Sequence, residues 1–380
     1  MGHSTSFSWQ RFVALVVKEF TQMQRDRLTF AMMVGIPLMQ LMLFGFAINS
    51  DPKHLPTAVL LADQGPQARS LVQAIRNSGY YDIVGTVTTQ FEADALLDRG
   101  EVQFVIHIPA DFSRRLWRGE KASVLVEADA TDPGATGSAV STLRALASSA
   151  LSHDARGPLG GLITPPPRLD LLVHARYNPE AITQFNIVPG LMGVVLTMTM
   201  VMITSLAITR ERERGTMENL LSMPVRPLEV MTGKIIPYIL VGFIQVSLIL
   251  IASHVIFHVP MAGSLALLYV VTSLFIATNL AVGITFSTVA QNQLQAVQMS
   301  FFFFLPSLLL SGFMFPFRGM PVWAQAIGEV FPLTHFLRAV RGIMLKGNGI
   351  GVVAGHLWPV AGFMVVVLLI GIKRYRQTLD

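Results

Sequence analysis

From Ile235 to Phe317 the chain contains not one Asp, Glu, Lys or Arg. Soluble domains carry about 25% charged residues, and no water-facing surface can be built from a run of that length. A membrane-spanning helix needs about 20 mostly apolar residues, so the run is too long for one or two spans. Pro260 and Gly263 mark one break in it, and Gln291, Asn292, Gln293 and Gln295 mark another. The pattern predicts helices over 235–259, 265–289 and 296–315. Three further uncharged runs, 29–48, 187–209 and 352–372, are each long enough to cross a bilayer. The expected fold is therefore an α-helical membrane protein with six transmembrane helices. The first run exceeds the apolar core of a secretory signal and no small-residue cleavage site follows it, so it is expected to remain as the first span.

Positive charge orients the spans, because Lys and Arg accumulate in short cytoplasmic flanks. Arg11, Lys18, Arg25 and Arg27 precede the first span. Arg210, Arg212, Arg214, Arg226 and Lys234 follow the second, and Lys373, Arg374 and Arg376 follow the sixth. Six spans place all three groups on one side, the cytoplasm, with both termini there. Arg318, Arg338, Arg341 and Lys346 fall on the opposite side and run against the count.

Residues 49–186 then form a large extracytoplasmic domain inserted between the first and second spans. It carries 12 Lys/Arg and 15 Asp/Glu, whereas the rest of the chain is basic. Its pattern alternates: strands at 57–61, 83–87, 102–108 and 123–127, helices at 67–77, 91–98, 112–117 and 135–151, and a last strand at 169–175. Strands alternating with helices indicate a small α/β domain. A Gly/Pro-rich linker through Gly160, Gly161 and Pro165–Pro167 precedes the last strand. With no cysteine in the chain, disulfides, thiolate metal sites and a cysteine nucleophile are excluded.

Chemistry-bearing motifs are few. No segment reads G-x-x-x-x-G-K-[ST], so the chain has no loop to cradle ATP phosphates. H-E-x-x-H and G-x-S-x-G are also absent. His254 and His258 stand at i, i+4 near the end of the third span, on one face of a helix. No carboxylate lies beside them in sequence, and an interfacial role is expected rather than a metal site. The segment 210–234 is more informative. Alternating charges over Arg210, Glu211, Arg212, Glu213 and Arg214 lead to Gly215, then to a short helix from Thr216 bearing Met217, Glu218, Leu220 and Leu221. Pro224 ends that helix and Pro227 can begin the next one at its first turn. A short helix between charged hinges suits docking on another protein; the plain alternative is a charged loop that satisfies the positive-inside rule. In the N-terminal flank, Trp9, Phe12, Val16 and Phe20 recur at helical spacing opposite Arg11, Lys18 and Arg25. This is the pattern of an amphipathic helix lying on lipid.

Between the fifth and sixth spans, residues 318–351 are too apolar for a solvent loop and too often broken by Pro and Gly for a span. Two short helices are expected, over 321–330 and 333–345, with His335, Arg338 and Arg341 near one face of the second. Phe336, Val340, Ile343 and Met344 fall on another. Such helices persist at membrane depth only when packed in protein or lining a cavity.

At these residues the chain resembles the type-2 permeases of ABC transporters, in the subgroup of bacterial multidrug-type exporters with a large periplasmic domain. The motifs that carry the resemblance are Arg210 to Leu221 with Gly233-Lys234, Ser311 to Pro316 through Met320-Pro321, Pro332-Leu333-Thr334, and Arg341-Gly342. The resemblance covers nearly the whole chain. It implies that 210–234 is the coupling segment docking on a separate cytosolic ABC ATPase, with Arg210–Leu221 as the contact. It implies that 1–28, through Trp9, Phe12, Val16 and Phe20, is the cytoplasmic interface helix. It also places Phe315, Pro316, Pro321, His335, Arg338 and Arg341 of 318–351 at the outer mouth. The subgroup often has Leu where this chain has Met217, which keeps an apolar contact.

The implied protein is an inner-membrane permease subunit, not itself an enzyme, that pairs with a second copy or a paralogue. ATP and magnesium bind in the partner ATPase, and no cofactor or metal binds in this chain. A periplasmic membrane-fusion adaptor and membrane lipid are further expected partners, and nucleic acid is not. Pro37, Pro237 and Pro306 are candidate bend points. The Met-rich spans suit hydrophobic or amphipathic cargo such as drugs. An ion-coupled secondary transporter is the runner-up, disfavoured because no span carries an ionisable relay. A non-transporting anchor for a periplasmic assembly module is the third reading.

Overall fold

A computed structural model describes residues 53–132, 169–213 and 227–376, together with helical residues within 136–146. The expected interface helix at 1–28, the expected first span at 29–48, residues 214–221 of the coupling segment and the Gly/Pro-rich linker lie outside the described residues.

The first unit is α/β. Strands β1 (Leu55–Leu61), β2 (Tyr81–Val87), β3 (Phe104–Ile108), β4 (Ala122–Asp129) and β5 (Leu169–Arg176) alternate with helices α1 (Pro66–Asn77), α2 (Gln90–Arg99) and α3 (Phe112–Trp117). The predicted strands and the helices at 67–77, 91–98 and 112–117 are present, within a residue or two at most ends; of the helix expected over 135–151 only residues within 136–146 are described. The sheet order is β2-β1-β3-β4-β5. β1 runs parallel to β2 and β3, β4 lies antiparallel to β3, and β5 joins β4 in parallel. β3 is central and reads Phe-Val-Ile-His-Ile, with all but the His buried. A strand covered on both faces requires that near-continuous apolar run. α1 turns Ala68, Leu71 and Ile75 onto the sheet. Thr89 caps α2 by accepting from the Glu92 N–H, and Gly100 closes it at φ 70. Tyr81 meets Phe104 edge to face and donates to the Ala139 carbonyl, which binds the 136–146 helix to the sheet.

Two carboxylates are buried among the described residues here, Asp63 and Glu127. Glu127 bonds to His107 at 2.7 Å and pairs with Arg176 at 3.0 Å. Burial pushes its pKa up, but the bonds from Gln90 and His107 and the charges of Arg176 and His107 outweigh this and hold it below the usual carboxylate value.

The second unit is helical: α4 (Thr183–Glu213), α5 (Pro227–Val255), α6 (Leu265–Val289), α7 (Gln293–Leu310), α8 (Val322–Val330), α9 (Pro332–Arg341) and α10 (Ile350–Arg376). A 3₁₀ turn (Phe317–Gly319) precedes α8 and a π turn (Gly342–Lys346) extends α9. Five of these helices, α4, α5, α6, α7 and α10, are long and apolar enough to cross a membrane. Sixth in the expected count is 29–48, outside the described residues. α5 starts at Pro227, as its fixed φ favours, and runs unbroken through Pro237.

Two predicted features change. The fifth span ends at Leu310 rather than near Phe315, because Gly312 turns the chain with φ 81, a conformation other residues seldom adopt. His254 and His258 do not share a helical face. α5 stops at Val255, and His258 lies beyond it with φ 52 in the approach to Pro260.

Close approach holds the bundle. A Cβ on Gly283 of α6 would stand 2.8 Å from the Val201 carbonyl oxygen and Thr204 Cβ of α4. Small residues at crossings and hydroxyls between helices are the usual means of association in lipid. Accordingly Ser205 and Ser300 hydroxyls join α4 to α7 at 3.0 Å, and Ser247 and Tyr269 join α5 to α6 at 2.7 Å. Phe336 of α9 stacks on Phe275 of α6 with centroids 4.0 Å apart.

Candidate functional site

α4 sets the geometry. It is one helix of 31 residues, about 46 Å long at 1.5 Å per residue, so it outspans the hydrocarbon layer and carries functional residues at both ends. Its last turn is Arg210–Glu213. Glu213 accepts from the backbone N–H of Gln293 at 2.7 Å and from that residue's side-chain amide at 2.5 Å. These bonds lower the Glu213 pKa. Asn292 caps α7 by accepting from Gln295 N–H, and the Gln295 side chain accepts in return from Gln291 N–H. The polar break Gln291–Gln295 is thus a helix start that grips the end of α4. Arg210 is exposed on the same turn. Glu211 and Arg212 lie on the helix backbone between them, while Arg214, Gly215, Thr216, Met217, Glu218, Leu220 and Leu221 are outside the described residues.

The other end of α4 meets the mouth helices and the α/β unit. Arg341 of α9 donates to the Asn186 side chain of α4 at 2.6 Å and to the Gly312 carbonyl at 3.2 Å. Asn186 in turn donates to the Thr131 carbonyl at the end of β4. Lys346, in the π turn, pairs with Asp129 at 2.6 Å and donates to the Leu97 carbonyl of α2. Its ammonium also lies 4.9 Å from the Tyr177 ring centroid. Asn348 donates to the Asp98 carbonyl at 3.0 Å, and the Tyr177 hydroxyl donates to the Asp98 carboxylate. These contacts clasp the tip of α2 and the end of β4 onto the turn before α10. A cavity of about 310 Å³ remains between the two units, with Arg318, Arg338, Arg341 and Lys346 among its lining residues.

Charges at the mouth are compensated in part. Arg338 holds Glu329 in a two-pronged pair at 2.7 and 3.0 Å, and stands 4.5 Å above the Phe317 ring. Burial pushes Glu329 up, yet the Arg338 bonds and the charges of Arg338, His335 and Arg318 bring it below its ordinary value. Burial holds His335 below its ordinary value against the opposing pull of Glu329. His335 Nε2 lies 2.8 Å from the Glu329 carbonyl oxygen, and its Nδ1 has no partner.

The predicted mouth residues do not all meet. Arg338 and Arg341 line the cavity; His335 faces Glu329 beside it. Arg341 also bonds to Asn186. Phe315 packs with Leu309, Leu310, Met320 and Ala324. Pro316 and Pro321 serve as the residues before the 3₁₀ turn and before α8. Sequence reasoning missed Asn186, Asp98, Asp129, Glu329 and Asn348. A signal for them was present: the four cations that break the charge count all line this cavity, and a cation off the expected side needs partners.

Comparison with known proteins places the chain. The family described as "ABC-2 family transporter protein" matches residues 27–373. "Probable multidrug ABC transporter permease YbhS" of Escherichia coli (strain K12) is 32% identical over 373 residues, covering 97% of this chain and 98% of the relative. "Probable multidrug ABC transporter permease YbhR" of the same strain is 28% identical over 351 residues, 92% of this chain and 94% of the relative. "Inner membrane transport permease YhhJ", also from that strain, is 28% identical over 339 residues, 85% and 86% of the two chains. A chain matched along nearly its full length, with five apolar helices and an α/β unit before them, belongs to the ABC-2 family of transporter proteins, as a multi-pass membrane permease.

Proposed function

We propose that this permease exports hydrophobic or amphipathic compounds, drugs among them, driven by ATP that a separate cytosolic ATPase binds with magnesium and hydrolyses. Two permease chains, identical or paralogous, form the passage between them. The ATPase docks on 210–234, with Arg210–Leu221 as its contact and Gly215 as the hinge. The interface helix at 1–28 lies on the cytoplasmic leaflet of the inner membrane, and the α/β unit stands on the periplasmic side, where an adaptor contacts it. The names of the E. coli relatives, two of them multidrug permeases, support the cargo class.

The observation that carries the reading is α4. Its last turn opens the coupling segment and is tied to α7 through Glu213 and Gln293, while its first turns are tied to the mouth through Asn186 and Arg341. The helix is continuous between those points, with Pro189 inside its first turns, so displacement of the coupling segment is carried along a single helix to the mouth. The apolar spans within these helices, 183–207, 237–255, 265–289, 293–310 and 350–374, hold no Asp or Glu, which supports ATP drive over a carboxylate proton relay.

Affinity capture from the native membrane tests this. The wild-type chain should bring down a subunit with a Walker loop, and Glu218→Arg should abolish that capture and export together. Retention of both in the variant, or ATP hydrolysis by the purified chain alone, would defeat the assignment.

A further inference from the structure

We propose that the cavity between the α/β unit and the mouth helices binds a phosphate-type anion, the headgroup of an amphiphile. Three of the four carboxylates that line the cavity are engaged by the protein's own groups, and the fourth, Asp132, acts on the charge of Arg341. Asp129 is paired with Lys346, Glu101 with Arg99 at 3.0 Å, and Asp98 accepts from Tyr177. Donors are left over on the cationic side. Arg318 is exposed at the cavity, and its guanidinium makes no hydrogen bond or ion pair among the described residues; its carbonyl accepts from Gln325. Arg341 Nε is buried with no partner among the described residues. Surrounding protein and the charge of Arg338 both lower the Arg318 pKa, with Glu329 opposing, whereas Asp132 and Asp129 act favourably on Arg341, so the unrelieved crowding is at Arg318. An incoming anion would relieve that crowding.

The chemistry of the spare groups selects the ligand. Guanidinium forks match tetrahedral oxyanions with two parallel N–H donors, which is why arginine recurs at phosphate sites. About 310 Å³ is at the lower end of small-molecule pockets, roughly 300 to 1,000 Å³, and suits a headgroup rather than a whole lipid. The segment that supplies Phe317 and Arg318 also exposes Met314, Val322 and Trp323. Exposed apolar side chains flanking a basic cavity give an acyl chain a surface next to its headgroup. The site is a property of the permease chain alone and does not depend on ATPase docking or on the cargo.

The test uses the full chain in neutral maltoside micelles, titrated with dodecyl phosphate and followed by native mass spectrometry. One saturable dodecyl phosphate per chain is expected, weakened about tenfold or more in Arg318→Gln, as loss of one charge-assisted pair implies. Arg318→Lys should bind between the two, and Arg118→Gln, an exposed site on the α/β unit, should match wild type. Displacement by inorganic phosphate would support the site with the free anion as its source; failure of inorganic phosphate to displace would support it with the amphiphile as source. Absence of saturable binding by either probe, or equal affinity in wild type, Arg318→Gln and Arg341→Gln, would overturn it.

Discussion

In the α/β unit, Phe104, Ile106 and Ile108 are sealed inside, and the surface is rich in ion-pairing side chains such as Arg99, Glu101, Lys121 and Asp170. On α5 and α10 the polarity turns over: Leu248 is 61% exposed and Trp358 72% exposed, as apolar outside as the other unit is inside. The same chain thus uses two kinds of cohesion. Expulsion of water holds the sheet and its helices together. Between helices in lipid that force is missing, so association falls to close packing at Gly283 and to hydroxyl pairs such as Ser205 with Ser300. Where the units meet, neither device is used. The join is ionic and amide: Lys346 with Asp129, Asn348 with the Asp98 carbonyl, Asn186 with the Thr131 carbonyl.

This contrast can be broken at four points. The heaviest loss is expected from Phe104→Ala, which removes a fully buried ring from the α/β core and should cost about 4 kcal/mol. Thermal unfolding followed by far-ultraviolet circular dichroism would measure it, and a loss below about 1 kcal/mol would show that water expulsion is not what secures this sheet. Next comes Lys346→Met, which leaves Asp129 buried without its cation and should cost about 3 kcal/mol. Its effect belongs at the join, so hydrogen exchange should rise at the end of β4 and at the tip of α2 while the centre of α6 stays protected. Unchanged exchange there would mean that the ionic clasp does not hold the units together.

Gly283→Ala probes the bundle. A Cβ pressed against the Val201 carbonyl should force α4 and α6 apart at a cost of about 2 kcal/mol, read as a lower melting temperature in micelles with the α/β amides unaffected. Leu248→Ala should have the smallest effect, under about 0.5 kcal/mol, because the side chain leaves one apolar medium for another. A loss of about 2 kcal/mol in that variant would sharpen the comparison differently, by showing that α5 meets protein rather than lipid in the working assembly.

Much of this architecture is legible in local pattern. The uncharged run from Ile235 to Phe317, with its breaks at Pro260 and at Gln291 to Gln295, yields α5, α6 and α7 with modest errors at the ends. Val102 to Ile108 reads as a strand because β-branched residues crowd there. Misplaced ends have particular causes. Nothing before Gly312 marks the stop of α7, since Ser311 and the Leu run both tolerate a helix; the left-handed turn is made where Arg341 reaches the Gly312 carbonyl. His254 and His258 have helical spacing, but the chain leaves the helix between them.

Hydropathy and periodicity are properties of about twenty neighbouring residues, and the cost of placing a charge in hydrocarbon is felt at each of them separately. The amino-acid sequence alone therefore sets the number and order of apolar spans, the α/β alternation before them, and the four cations that defy the charge count. Which groups meet those cations and the residues beside them is a different kind of fact. Arg341 finds Asn186 across 155 positions, Lys346 finds Asp129 across 217, and Asn348 finds Asp98 across 250. Coulombic and hydrogen-bond energies depend on approach in space to within a few ångströms, and only the packing of the mouth helices with α4 and with the folded α/β unit brings those groups that close.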